Sequence, residues 1–149
     1  MLGALAATTA MSAAAQAPTA GQPVAEVRAA ATRFIDALNA LDLAGMTSLF
    51  ADDITAFVPT AQPDRVNGKA AVTAIYRTYV DRARAGGPTG RTAPEDLTVE
   101  ATGDLGVVTF NVRDSSGTVR RRTFVFRRAG GVWRISHFHA SDFVVPGAP

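Results

Sequence analysis

His137 and His139 are the two histidines of a 149-residue chain. They stand two residues apart in the stretch Gly130 to Phe143, where a Gly-Gly turn runs into an alternating strand. Side chains alternate along a strand, so Trp133, Ile135, His137 and His139 are expected on one face, with Arg134, Ser136, Phe138 and Ala140 on the other. That face would begin with a large aromatic ring and end with two imidazoles. An apolar floor with a polar mouth is the usual make-up of a small-ligand pocket. Imidazole exchanges protons near neutrality, so the pair could act as general acid and base, or donate to a carbonyl or anionic ligand. The competing reading is a pair of packing residues bonded to backbone or to a carboxylate. A third metal ligand is not evident beside them, so neither a metal nor a cofactor is expected.

Three further residues carry candidate chemistry. Asp53 could orient a histidine or take a proton, since partial burial raises a carboxyl pKa; Asp52 and Asp53 are equally ordinary helix-end residues. Tyr76 could donate to a ligand oxygen, although it falls on an apolar helix stripe. Asn111 is polar in an otherwise apolar strand and belongs either to a pocket or to an exposed face. The candidate catalytic set is therefore His137, His139 and Asp53, and the candidate ligand-binding set is Trp133, Asn111 and Tyr76. Arg120, Arg121 and Arg122, with Arg127 and Arg128, could attract phosphate, but alternation divides them between two faces. A solvated hairpin or a dimer rim explains them better than nucleic acid. The chain has no cysteine, which excludes disulfides, thiolate zinc and a cysteine nucleophile. No Gly-rich phosphate loop, nucleophile elbow or HExxH motif occurs.

The elements that must position these residues are legible from periodicity. Val24, Val27, Ala31, Phe34, Ile35, Leu38 and Leu41 recur at helical spacing and predict a helix over Val24–Ala40. Asp42 is placed to cap a short second helix carrying Leu43, Met46, Leu49 and Phe50, ended by Ala51-Asp52-Asp53. Ile54 to Val58 reads as a short strand stopped by Pro59, and Thr60 to Asn67 as a loop. Gly68 opens a third helix with Val72, Ile75, Tyr76, Tyr79 and Val80 on one side, stopped by Gly86-Gly87-Pro88. The period then changes to two. Leu97–Glu100, Leu105–Arg113, Thr118–Arg128 and the Trp133 strand form a meander, with a hairpin turn at Asp114-Ser115-Ser116-Gly117. Helices followed by an antiparallel meander make an α+β domain.

Hydrophobic residues make up 47% of the chain, charged residues 19%, and the net charge is +2. These values fit one globular domain rather than a disordered or nucleic-acid-binding chain. Only Lys69 among the fifteen cations is a lysine, which reads as a composition bias. Residues 1–25 carry no charge. Their Ala-rich run and small-x-small sites at Ala13-Ala14-Ala15 and Ala15-Gln16-Ala17 read as a signal peptide over residues 1–17, lacking a basic leading segment. The run is too short to span a bilayer. The expected organisation is export to the periplasm or beyond (otherwise a cytoplasmic protein), a flexible lead-in at 18–23, one domain at 24–145 and a tail at 146–149.

The run Trp133-x-Ile135-x-His137-Phe138-His139-x-Ser141 resembles the last strand of the cone-shaped superfamily containing nuclear transport factor 2, the SnoaL-like polyketide cyclases and ketosteroid isomerase. Leu49-Phe50-Ala51-Asp52-Asp53-Ile54 with Pro59, and Asn67-Gly68-Lys69-Ala70-Ala71-Val72, resemble it too. Within this NTF2-like superfamily the chain is most similar to the SgcJ/EcaC-type subgroup and to the association domain of calmodulin-dependent kinase II. The resemblance implies three N-terminal helices on a curved antiparallel sheet, a pocket inside the cone with Asp53 near its rim, and a homodimer through the outer sheet face. Phe110, Phe124, Phe126 and Phe138 share one parity and could form that outer face. Phe124 stands where the association domain carries an arginine. Two functions follow: a small-molecule-binding domain that could act by isomerase- or cyclase-type proton transfer on a hydrophobic oxygenated ligand, or a non-catalytic binding or oligomerisation module. The residues leave open whether the chain is an enzyme.

Overall fold

The computed structural model describes residues 21–59, 64–87, 90–114 and 117–144. The expected export segment, residues 18–20 of the lead-in, Pro88, the turn residues Ser115 and Ser116, and the tail lie outside the described residues.

The first helix, α1, spans Gln22–Asn39 and buries Val27, Ala30, Ala31, Phe34 and Ile35. It starts two residues before the expected Val24. Pro23 sits in its first turn, where a missing N–H costs nothing and the fixed φ suits a helix. Asp42 caps the six-residue helix α2, Leu43–Ser48, by accepting the Gly45 N–H at 2.9 Å. Ala51, Asp52 and Asp53 do not end that helix. They belong to strand β1, Phe50–Phe57. The expected loop holds a two-residue strand, β2, Val66–Asn67, paired antiparallel with β1. Helix α3, Lys69–Arg84, follows Gly68, whose φ of +85° favours glycine. The meander is β3 (Glu95–Thr102), β4 (Leu105–Arg113), β5 (Val119–Ala129) and β6 (Val132–Phe143).

All six strands join one sheet in the order β2-β1-β6-β5-β4-β3. β3 to β6 are antiparallel, but β1 pairs with β6 in parallel, so the sheet is mixed rather than wholly antiparallel. A parallel pair needs a long connection, and β2, α3 and the strands β3 to β5 lie between these two strands.

The inner sheet face carries Val108, Phe110, Phe124, Phe126, Ile135, Phe138 and Ala140, all buried. This corrects the expectation that the four phenylalanines form the outer surface. They have one parity, as expected, but it is the parity covered by the helices. Phe34, Phe50 and Tyr76 join them. Phe34 lies 5.1 Å from Phe124 and 5.6 Å from Tyr76, centroid to centroid, and Phe124 stacks on Phe138 at 5.1 Å. Such contacts each add about 0.5–1.5 kcal/mol beyond area burial. Gly106 lets α1 approach β4: a Cβ there would lie 2.6 Å from Val27 Cγ2. Near the start of β6, Trp133 is buried and its Nε1 donates to Glu26 Oε2 at 2.8 Å. The Arg128 guanidinium lies 5.2 Å over the indole. Trp133 thus ties α1 to the sheet.

Candidate functional site

The two imidazoles are placed by one extra residue. Val125 pairs with His137, but the next residue, Phe126, pairs with Ile135. Ser136 is left without an opposite number, a β-bulge, and its hydroxyl donates to the Val125 carbonyl at 3.2 Å. A one-residue insertion exchanges the faces beyond it. Trp133 and Ile135 face the core before the bulge, and Phe138 and Ala140 face it afterwards. His137 and His139 therefore point out of the opposite face. The expected continuous face from Trp133 to His139 does not exist.

On that outer face the histidines complete two rows that cross the sheet. One row runs Thr55, His137, Val125, Val107, Glu100, and the other Phe57, His139, Thr123, Thr109, Thr98. His137 Nδ1 and Thr55 Oγ1 are hydrogen-bonded at 2.7 Å. The Phe57 ring lies 5.9 Å from the His137 ring and 6.0 Å from that of His139, edge-on to both. Thr98 and Thr109 are bonded through their hydroxyls at 2.7 Å. Burial lowers the His137 pKa below its ordinary value, helped by the positive fields of His139 and Arg65. The neutral imidazole is thereby favoured.

Asp53 is not a partner for either histidine. It faces solvent, and both its carboxylate oxygens accept from Arg127 Nη2, at 2.6 and 2.9 Å. The Arg127 hydrogen bond keeps its carboxyl below the usual range. The expected raised pKa for Asp53 is thus reversed in direction: exposure and a cation replace burial. Asn111 lies on the outer face beside Arg121. It lines a shallow, open depression of about 250 Å³ with Asp96, Thr109, Arg121 and Thr123. Tyr76, like Trp133, lies on the inside, where burial pushes its phenol above the ordinary value.

Arg122 was not among the candidates, although it shares the parity of Phe124 and Phe126. It pairs with inner-facing Ala140 and Phe110. Its Nη1 donates to the Arg121 carbonyl at 2.9 Å and lies 3.5 Å from Asp142 Oδ1. Burial lowers its pKa, while Asp142 and Tyr76 act to raise it. Arg122 is therefore a largely enclosed cation at the rim of the inner face, near the Tyr76 phenol. Among the described residues, no group of three His, Asp or Glu is placed to hold a metal ion, and no helix is long and apolar enough to cross a membrane.

The model of the SnoaL-like domain matches residues 27–146. The chain belongs to the SnoaL-like family. Solved structures agree on the fold. An NTF2-like protein of unknown function from Pseudomonas putida KT2440 is 32% identical, with 79% of this chain and 84% of that one covered and a TM-score of 0.68. The S. rosetta CaMKII hub is 20% identical, covering 85% of this SnoaL-like chain and all of the hub, at a TM-score of 0.63. A ketosteroid isomerase-like protein from Erwinia carotovora atroseptica is 17% identical over 82% of this chain and 97% of that one, at 0.65. The last two share the fold. No curated protein matches the chain significantly.

Proposed function

We propose that this SnoaL-like chain is a self-associating module in which a second copy packs on the outer face of the sheet. The observation that carries this reading is the pair of rows through His137 and His139. Apart from Glu100 at the sheet edge, they consist of uncharged side chains. Val107 and Phe57 are 39% and 42% exposed there, and Val125, Thr109 and Thr123 are partly buried. A two-fold contact brings a patch against itself, so any fixed charge near its centre would meet its like. A neutral centre avoids that conflict and suits a copy of this chain better than a charged partner. The inside of the cone supports the same reading, because aromatic rings occupy it and the candidate bases face away from it. Isomerase- or cyclase-type chemistry would need a base on the inner face. The test is the mass of the full chain in solution, wild type beside Val125→Glu.

A second reading rests on Arg122. A small acidic or oxygenated ligand at the rim could replace Asp142 on the guanidinium and meet the Tyr76 phenol. A bidentate carboxylate is the natural match for arginine. Thermal shift with small carboxylates and ketones, wild type against Arg122→Gln, tests it. Stabilisation of wild type alone supports the site, and equal or absent shifts refute it.

A further inference from the structure

The outer face has one property that its uncharged centre does not explain. Its two central rows contain both histidines of the chain, side by side, with Phe57 against each ring. The groups facing the imidazoles from their own rows are Thr55 and Phe57 on β1 and Thr123 and Val125 on β5, all uncharged. Charge enters from the flanks. Arg127 and Arg134 pair in the row beyond the bulge, and Arg121 stands in the row beyond His139. Arg65 adds its positive field from the β2 side. Asp53 neutralises Arg127. Arg121 lies over the Phe143 ring at 4.8 Å. Glu100 is the acid within the rows and stands at the opposite sheet edge, separated from His137 by β4 and β5.

We propose that His137 and His139 make self-association pH-dependent, so that protonating them separates the two copies. This rests on the self-association proposed above. Imidazole gains its proton in the pH range just below neutrality. Two new positive charges would then appear in an uncharged centre already flanked by arginines, with no carboxylate among the facing side chains to pair with them. A two-fold contact doubles the number and opposes each charge to its copy. Juxtaposing like charges across an interface is strongly unfavourable. Protonation also makes Nδ1 of His137 a donor only, so the Thr55 hydroxyl must accept rather than donate. The neutral ring can use either arrangement.

The experiment is sedimentation of the full chain at pH 8.0 and pH 5.5, in low and high salt, with circular dichroism at each pH to follow folding. Wild type and the double variant His137→Asn/His139→Gln are compared, with His139→Gln alone as the milder change. The proposal predicts a two-copy species at pH 8.0 and dissociation weakened by high salt at pH 5.5, with the dissociation constant raised roughly tenfold or more. The variants should show a smaller pH response, the double variant the smallest. A folded wild type equally associated at both pH values would overturn the pH-dependence and leave self-association standing. A folded wild type that is single at pH 8.0 would overturn self-association itself, and the pH-dependence with it.

Discussion

Ile135 and His137 stand two residues apart on one strand and face opposite sides of the sheet. Ser136 makes the difference, because it has no partner on β5 and turns the strand over. Its hydroxyl fastens the bulge to Val125. One inserted residue therefore decides which side of the protein carries its imidazoles, and the bulge is the local feature on which the functional reading depends.

Trp133 should be among the costliest residues to truncate. It is buried and its indole N–H is bonded to Glu26 across the α1–sheet contact. Trp133→Ala is expected to lose about 3–5 kcal/mol, measured by chemical denaturation. His139→Ala, on the outer face, should cost far less. Equal losses would contradict the placement of the two faces.

Much of this fold can be read from the sequence, and the reason lies in its period. Phe110, Phe124, Phe126 and Phe138 keep strand parity, and Val27, Phe34 and Ile35 keep helix parity, so elements and their shared faces are legible. Which face is the inner one is not, since an apolar face serves a core or a partner surface equally well. The bulge at Ser136 is also hidden: no glycine or proline marks it, and the register is set by β5. Asp53 looked like a helix-end acid because Ala51-Asp52-Asp53 follows a helical run, but pairing with β6 draws this segment into β1. Arg122 was obscured by its neighbours, since three consecutive arginines read as a solvated run although Arg122 has the parity of inner-facing Phe124 and Phe126.

Gly106 has a steric role that a single methyl group tests. Its missing Cβ is the space into which Val27 packs. Gly106→Ala should destabilise the domain by about 1–3 kcal/mol through overpacking. The combination with Val27→Ala should recover part of that loss. Thermal unfolding of the two variants and their combination measures both effects.

The pH profile of stability should contain two separate windows. The folded His137 pKa lies below its ordinary value, so the unfolded chain protonates first as pH falls. Stability should therefore decline as pH drops below the ordinary imidazole value, about 6.5, and level off once the folded imidazole is protonated. Glu26 and Asp53 have lowered pKa values, owing first to Trp133 and Arg127 respectively. Their contribution is present above the ordinary carboxyl range and is lost as pH falls through their folded values. His137→Asn should flatten the first window and leave the second. Urea midpoints across pH would show this directly, at a protein concentration low enough to avoid association.

The Asp53–Arg127 pair is short but exposed. Asp53→Asn should leave stability nearly unchanged, because solvent screens an exposed pair. A loss as large as that of Trp133→Ala in denaturant titration would mean that this pair is shielded in the working protein, as a contact with a second copy would do.

The most direct measurement is the mass of the full chain at pH 8.0 by sedimentation equilibrium, wild type against Val125→Glu. Val125 lies in the row of His137 and Val107 on the outer face. The account predicts two copies for wild type and one for the variant, with unchanged circular dichroism. A wild type of one copy, or a folded variant that associates as well as wild type, would contradict it.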